Sequence, residues 1–471
     1  MIELPADFAT RTRRLMGEDL YTSLCAALQE TPSVSVRLHP DKGLSAPAGW
    51  EAVPWCAGGY YLPERPSFTF DPLFHAGAYY VQEASSMFLQ RVLRTFVTNP
   101  VRMLDLCAAP GGKSTLACAS LPEGSLLVAN EVMRQRVRIL EENLLKWGDE
   151  RAVVTCNDPS DFTSLPHLFD VILTDAPCSG EGMFRKDDQA LADWSLANVN
   201  LCQQRQRRIL SDVWPALKPG GILIYSTCTY NREENEDNVE WMARHLGAEV
   251  LPVPVEPAWN ITGNLVPDDT FPVYRFLPGH TRGEGLFMAV LRKSANEEEE
   301  ECPLTDKRRK KKASGKAGMP PVPAEAREWI KDPEEYAFQN EDGMVTAVPA
   351  LHADVIRLLR EKLRVKHAGI DVLAAKGKLW QPCPSLAFSR KVNRAACPVV
   401  ELSWQDAISF LRKEAFPLQE EVPLGYVLFT YHHLPIGFGK NLGGRFNILY
   451  PNEWRIRSSA PAVGIPLLQW P

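Results

Sequence analysis

Between residues 101 and 292, short apolar runs alternate with stretches of helical period. The runs at 101–106, 125–130, 151–156, 170–174 and 222–226 predict strands. Residues 134–146 read as a helix with Val137, Leu140, Leu144 and Leu145 on one stripe. Residues 196–217 read as a longer amphipathic helix, stopped by Lys218-Pro219-Gly220-Gly221. Strands alternating with helices predict a Rossmann-like α/β fold, a doubly wound sheet with a parallel core. Ligands of such sheets gather at the carboxyl ends of the strands. Glu131, Asp158, Asp175 and Cys228 each follow an expected strand, so they should converge on one edge.

The flanks read differently. Residues 1–95 combine a helix at 8–28 with a strand at 34–38 and predict a small N-terminal α/β module. After residue 293 an acidic run (297–301), a basic run (307–312) and a Gly/Pro/Lys-rich stretch cannot bury a core. We read 294–324 as a charged flexible linker. Residues 325–417 carry expected helices at 353–363 and 404–413. Residues 418–471 are rich in Gly, aromatics and turns, with strands at 426–431 and 445–450, and predict a small β-rich domain. The central doubly wound domain then spans 96–293.

Composition narrows the class. With 45% hydrophobic and 23% charged residues the chain is ordinary for a soluble globular protein. Its net charge of −6 excludes a histone-like polycation but not a local basic face. Residues 351–400 supply such a face: ten basic and three acidic residues, including Lys362, Arg364 and Lys366. We expect it to bind RNA phosphates. Eleven cysteines, none at C-x-x-C spacing, argue against a zinc ribbon and for a reducing, cytoplasmic setting. The N-terminus lacks a signal-peptide core, and no apolar run is long enough to span a membrane. We expect no metal site.

The chemistry concentrates in three segments. In Leu104-Asp-Leu-Cys107-Ala108-Ala109-Pro110-Gly111-Gly112-Lys113-Ser114, Cys107 stands where a P-loop needs glycine, and G-x-G-x-x-G is absent. What remains is a strand, a tight turn and a helix N-terminus, suited to a nucleoside-bearing ligand with a carboxylate end. Glu131 is placed to accept two ribose hydroxyls, and Asp158 an adenine amino group. The second segment is Asp175-Ala-Pro-Cys178-Ser-Gly-Glu-Gly-Met-Phe-Arg-Lys186. The third is Tyr225-Ser-Thr-Cys228-Thr-Tyr230 followed by Asn231-Arg-Glu-Glu-Asn-Glu236. Asn231 with Glu234 resembles a capping box, which would set Cys228 just before a helix and favour its thiolate. A lone cysteine after a strand is usually a small buried hydrophobe. Two of them beside turns at the ligand edge, each near an aspartate, point to chemistry.

These three segments, in this order and spacing, resemble the RNA 5-methylcytosine methyltransferases of the Sun family, in their RsmF-like 16S rRNA branch. The resemblance covers residues 80–290, with Gln82-Glu-Ala-Ser-Ser86 and the opening Leu4-Pro5 and Phe8 in support. Gly425-Tyr-Val427, Gly437-Phe-Gly-Lys440 and 447–451 resemble the family's PUA-like RNA-binding tail. Arg37-Leu38-His39 and Phe446-Asn447 depart from the family pattern at positions tied to RNA docking.

The resemblance implies S-adenosyl-L-methionine as methyl donor, held by Cys107 through Lys113, Glu131, Asp158 and Asp175. It implies Cys228 as the nucleophile that adds to cytosine C6, Cys178 as the residue that helps release the product, and Asp175 as a catalytic partner of the base. Residue chemistry by itself leaves the choice between the two cysteines open. Lys113 and Lys186 are expected to hold the nucleotide or its phosphate. The expected substrate is 16S rRNA or the small ribosomal subunit, acted on by a monomer. Alternatives are a tRNA substrate with the same machinery, or an RNA-binding assembly factor without turnover.

Overall fold

The computed structural model describes residues 2–267, 270–295, 320–417, 421–459 and 467–470. Residues 296–319, most of the expected linker, lie outside the described residues. The chain opens with helix Ala6–Ala27, interrupted at Gly17, whose φ of 77° no helix accommodates. An antiparallel sheet follows, formed by β1 (Val34–Leu38), β2 (Glu51–Ala52), β3 (Gly59–Leu62) and β4 (Tyr79–Val81) in the order β2-β3-β1-β4.

The expected central sheet is present. Its parallel part comprises β5 (Arg102–Asp105), β6 (Leu126–Asn130), β7 (Ala152–Thr155), β8 (Phe169–Asp175) and β9 (Leu217–Thr227), ordered β9-β8-β5-β6-β7. Successive residues feed two different cores. Met103, Leu127 and Val171 point into one cluster; Leu104, Val128 and Ile172 point into the other. Burial on both faces explains why these strands read as continuous apolar runs.

Two differences from expectation concern boundaries. The long helix ends at Val213, not at 217: Pro215 has no N–H to continue the α-helical ladder, and the chain passes into a 3-10 turn at Trp214–Ala216. Lys218-Pro219-Gly220-Gly221 lies within β9. The sheet is also wider than expected. Antiparallel β10 (Glu249–Val250), β11 (Tyr274–Phe276) and β12 (Leu286–Arg292) extend it beyond β9.

Beyond residue 320 the chain forms β13 (Tyr336–Glu341), β14 (Met344–Pro349), β15 (Val365–Ala368), β16 (Ile370–Lys376) and β17 (Leu379–Pro382). Four of these make a sheet ordered β13-β14-β16-β17, whereas β15 pairs antiparallel with β7 and widens the central sheet. The last sheet is β18 (Val399–Glu401), β19 (Gly425–Tyr431), β20 (Leu434–Asn441) and β21 (Phe446–Ile448). Its first strand comes from upstream of residue 418, where the sequence suggested the domain would start. Helix Trp404–Arg412 packs on this sheet through Phe410, whose ring meets Phe429.

The N-terminal sheet and the C-terminal region share one core, in which Val36 and Leu73 join Phe388, Phe410 and Phe438. Trp404 Nε1 donates to the Phe70 carbonyl at 3.0 Å, and Trp470 Nε1 to Asp71 Oδ2 at 3.0 Å. His39 is buried against the Trp147 ring, so this departure from the family pattern faces the core. Burial, with nearby Lys42 and Arg390, pushes its imidazole down to about 2.

The junction with the central domain turns on Gly148, which caps helix Arg134–Trp147 at φ 81°. A Cβ there would lie 2.0 Å from the Phe388 carbonyl oxygen. Next to it, Arg390 Nη1 bonds Asp41 at 2.8 Å, and Arg390 Nη2 lies 3.4 Å from Asp149. Gly148→Ala should therefore destabilise the protein by more than ~1 kcal/mol, combining backbone strain with a clash against main chain. Urea denaturation should show a lower midpoint with unchanged slope; an unchanged midpoint would mean the junction yields freely.

Candidate active site

The site grows out of the turn after β5. Ala108 N donates to the Asn130 carbonyl on the neighbouring strand at 2.8 Å. Asn143 Nδ2 holds the Pro110 carbonyl at 2.8 Å, and Arg136 Nη2 holds the Ala109 carbonyl at 2.7 Å. Gly111 adopts φ 113°, and helix Gly112–Ser120 starts immediately after it. At Gly112 a Cβ would stand 3.3 Å from the Tyr80 ring, so β4 of the N-terminal sheet closes directly over the turn.

A cavity of about 370 Å³ lies between them. Cys107, Lys113, Asp175 and Cys228 line it from the central domain. Tyr80, Gln82, Glu83 and Ser86 line it from the N-terminal module. Met183 and Lys186 close it on one side and Glu284 on another; Lys186 Nζ lies 3.5 Å from Glu284 Oε2.

Acidic groups dominate the floor. Asp105 is fully buried, and Ser114 Oγ donates to its Oδ2 at 2.6 Å. Its other oxygen has no hydrogen-bond partner. Burial pushes this carboxyl up to about 7 despite the Ser114 bond, and the charges of Asp175 and Glu131 add to the effect. Asp175 is held on both oxygens, by Lys113 Nζ at 2.7 Å and Ser226 Oγ at 2.7 Å. Burial opposes the charge on Lys113, but Asp175 outweighs it and raises the ammonium. Burial, then the charges of Asp105, Asp175 and Glu131, push the Cys107 thiol far up, which makes it a packing group rather than a nucleophile.

Glu131 lies behind the turn. Its Oε1 accepts from Met133 N at 3.0 Å, and its buried Oε2 stands 3.1 Å from Arg136 Nη1 without forming a directed hydrogen bond. Asp158 stands further out. Its carboxylate accepts from Ser160 N and Oγ and pairs with Arg208 at 3.3 Å. Burial disfavours its charge slightly, but the Ser160 and Arg208 bonds hold it below the ordinary range. Neither Glu131 nor Asp158 lines the cavity.

The two cysteines touch: Cys178 Sγ and Cys228 Sγ are 3.2 Å apart. Only Cys228 lines the cavity. The contact with Cys228, then burial, pushes the Cys178 thiol well up. The expected helix at Cys228 is not there: helix Glu236–His245 begins eight residues later, so its dipole does not act on the thiol. Asn231 and Glu234 form half of a capping box: Asn231 Oδ1 accepts from Glu234 N, but Glu234 Oε1 takes the Asn231 side-chain Nδ2, and Asn231 N donates to Glu181 instead. They use it to build a turn. Glu234 also accepts from Ser179 N at 3.0 Å and Gln206 Nε2 at 2.7 Å, tying the Cys178 loop to the Cys228 loop. Glu181 makes a second tie, accepting from Tyr230 N, Asn231 N and Trp194 Nε1.

Sequence reasoning missed Asp105, Glu181 and Glu234 as parts of this site. A charge closing an otherwise apolar strand was the available signal for Asp105. The two glutamates sit in polar segments that give no sign of burial. Among the described residues no cluster of His, Cys, Asp and Glu is arranged to hold a metal ion, and no helix is long and apolar enough to cross a membrane.

The chain is similar to known proteins along most of its length. Residues 96–292 match the family 16S rRNA methyltransferase RsmB/F, residues 4–84 the N-terminal domain of 16S rRNA methyltransferase RsmF, and residues 397–456 the methyltransferase RsmF PUA domain. Ribosomal RNA small subunit methyltransferase F of Salmonella paratyphi A is 32% identical, with 96% of each chain covered. The chain belongs to the RsmF family. The corresponding Citrobacter koseri protein is 33% identical over the same share of each chain. A methyltransferase homologue from Pyrococcus horikoshii shares the fold over 62% of this chain and 96% of its own, with a TM-score of 0.51 and 26% identity. NSun6 from Pyrococcus horikoshii, solved with SFG, matches in fold over 61% of this chain and 98% of its own, with a TM-score of 0.51 and 20% identity.

In this RsmF-family chain Asp105 generates a pH signature. Unfolded, it loses its proton near the ordinary carboxylate value of about 4. Folded, it keeps the proton to about 7. Its contribution to stability is therefore full below pH 4 and is lost as pH rises through 7. Asp105→Asn cannot ionise, so the ligand-free variant should gain stability relative to the parent between pH 4 and 7, then level off. Chemical denaturation across that range gives the difference; a flat one rules out a buried, protonated Asp105.

Proposed function

We propose that this chain transfers a methyl group from S-adenosyl-L-methionine to C5 of a cytosine in 16S rRNA, through a covalent bond between Cys228 and C6 of the base. The observation that carries this reading is the placement of Cys228 on the cavity wall beside Asp175 and Lys113, with Cys178 in contact behind it. The residues present fit the donor. A cation would meet Asp105 and Asp175 there, a Cβ at Gly111 or Gly112 would crowd Leu140 or Tyr80 at 3.3 Å, and a buried Asp105 oxygen lacks a hydrogen-bond partner. Cys107, Ala108, Ala109, Pro110, Gly111, Gly112, Lys113, Glu131, Asp158 and Asp175 would hold it. Asp158 would reach an adenine amino group by exchanging its Arg208 pair. The donor supplies an electrophilic methyl group.

The rest is done by the chain. Cytosine C5 is a poor nucleophile until a thiolate adds to C6, which makes C5 enamine-like. Asp175, fixed by Lys113 and Ser226, faces N3 and the amino group of the base and steadies the adduct. Loss of the C5 proton and expulsion of Cys228 restore the ring. Cys178 keeps its proton because burial and its neighbour raise it, which suits it to assist that expulsion rather than to attack. The target base must leave its stack to reach this cavity, so a loop or melted helix suits the site.

Phosphate binding falls to exposed cations. Arg390 and Lys391 of the basic stretch are engaged in ion pairs, so they belong to the fold. Lys362, Arg364 and Lys366 are exposed, and Arg364 meets the carboxyl end of β7 through Asn157 Oδ1 and Cys156 N. We assign RNA backbone contacts to these three and to the PUA domain. The domain division at 95, 293 and 324, with the last domain taking in β18 upstream of the expected boundary at 417, a monomeric state and a cytoplasmic setting belong to the same reading.

Two experiments test it. Glu131→Ala should weaken donor binding by roughly 1.5–3 kcal/mol through loss of a charge-assisted bond. Calorimetry showing equal affinity would take Glu131 out of the site. For the cysteines, purified variants are incubated with 16S rRNA and donor and run on denaturing gels. Cys178→Ala should accumulate a slow-migrating protein–RNA adduct; Cys228→Ala and the double variant should form none. An adduct that persists in Cys228→Ala and vanishes in Cys178→Ala would reverse the roles.

A further inference from the structure

A second cavity, of about 530 Å³, lies on the far side of the Cys228 loop. The two cavities share a wall two loops thick. Gly182 lines the first and Glu181 the second; Cys228 lines the first and Asn231 the second. The new cavity has an apolar floor of Phe8, Leu15, Trp194 and Val199 and a rim of Arg11, Arg14 and Arg232. Helix Ala6–Ala27 supplies much of it by spacing alone, because positions 8, 11, 14 and 15 are three and four residues apart and share a face. The volume falls in the ~300–1,000 Å³ range of small-ligand sites.

Its polar groups differ in availability. Glu181 is satisfied by Trp194, Tyr230 and Asn231, so it offers no free acceptor. Arg11 binds Glu233, and Arg232 bonds Asp237 at 2.8 Å. Arg14 is exposed and makes no ion pair among the described residues. The second carboxylate oxygen of Glu233 is buried without a hydrogen-bond partner. An apolar floor and a guanidinium rim together match a nucleotide: a ring to pack and a phosphate to pair.

We propose that this recess seats an RNA nucleotide flanking the target cytosine, with its ring against the apolar floor and Arg14 on its phosphate. The proposal rests on the RNA-methyltransferase reading above, since the shared wall is what sets the two sites one strand apart. It gives helix Ala6–Ala27 a direct part in substrate selection. A free nucleotide or a protein segment would fill the same space, and the test separates these.

The probe is an RNA hairpin drawn from 16S rRNA that the wild-type chain methylates, with 4-thiouridine placed singly on either side of the target. Irradiation should cross-link one flanking position to peptides containing residues 8–15 or 194–199. Arg14→Glu should weaken hairpin binding by about tenfold, the scale of one charged hydrogen bond. The salt dependence should become shallower by about one phosphate. Arg14→Lys should recover most of the affinity, and Leu15→Trp, which fills the floor, should raise KM for RNA without changing kcat. Donor affinity stays at the wild-type value in all of them. Unchanged affinity and salt slope in Arg14→Glu, or cross-links confined to the basic stretch near Lys362, would overturn the recess while leaving methyl transfer intact. Competition by free mononucleotide but not by hairpin would overturn the RNA assignment. Absence of methylation of any cytosine by the wild-type chain would instead sink the underlying reading, and anisotropy of Arg14→Glu against the parent on full-length 16S rRNA would still decide the recess.

Discussion

Three carboxylates at the ends of adjacent parallel strands share one lysine, and the site depends on that imbalance. Asp105 ends β5, Glu131 follows β6 and Asp175 ends β8; these are neighbouring strands of one sheet. Lys113 neutralises Asp175 alone, and Arg136 approaches Glu131 from outside. Asp105 is left with an unsatisfied oxygen and holds its proton far above the ordinary carboxylate range. With Asp175 and Glu131 paired and Asp105 protonated, a cation set against Asp105 would favour its ionised form, so the two would stabilise each other. A sulfonium with an ammonium group is such a cation. The parallel sheet creates this condition automatically, because all its carboxyl ends open on one edge.

The cysteine pair depends on a different constraint. Two thiols in contact require two loops to be held at fixed distance, and neither loop is regular structure. Glu181 and Glu234 do this with buried carboxylates: Tyr230 N and Asn231 N donate to Glu181, and Ser179 N to Glu234, across the loops at 178–182 and 228–234, while Trp194, Gln206 and Asn231 hold the remaining oxygens. Buried acids are tolerable only when so fully bonded. The clamp explains why the segment after Cys228 carries so many acids and amides while remaining buried. It also gives the second cavity its inner wall, so a change in that recess is transmitted to the position of Cys228 through Asn231.

The strands of the central domain and the convergence of Asp175 and Cys228 were legible from the sequence, because apolar runs and strand-end residues obey simple periodic rules; Glu131 and Asp158, expected on the same edge, stand outside the cavity. Three other things were not legible. The wider sheet was missed because β12 and β15 arrive antiparallel from distant segments, and no local pattern announces a partner. The electrostatics of Cys228 were misjudged because Asn231 and Glu234 form half of a capping motif without starting a helix; the same two residues serve a loop clamp when the next turn is not helical. The basic stretch was read as uniform, yet Arg390 and Lys391 hold the chain together while Lys362, Arg364 and Lys366 stand free of ion pairs among the described residues. Pairing depends on what the fold brings near, which charge counting along a sequence does not contain.

The flanking regions are more than appendages. The N-terminal sheet closes the catalytic cavity with Tyr80 and Gln82 on one side and shares a core with the C-terminal region on the other. Arg37 connects the two functions: its guanidinium lies 4.5 Å over the Trp147 ring and bonds Gln82 Oε1 at 2.9 Å and Thr115 Oγ1 at 2.7 Å. Thr115 belongs to the helix that begins at the glycine turn. A buried guanidinium so placed fixes the cavity wall relative to the donor turn and to the helix that ends at Gly148. The C-terminal region also meets the central domain directly, through β15 on β7 and Arg390 on Asp149, so Arg37 is one of several ties and the one that reaches the cavity wall.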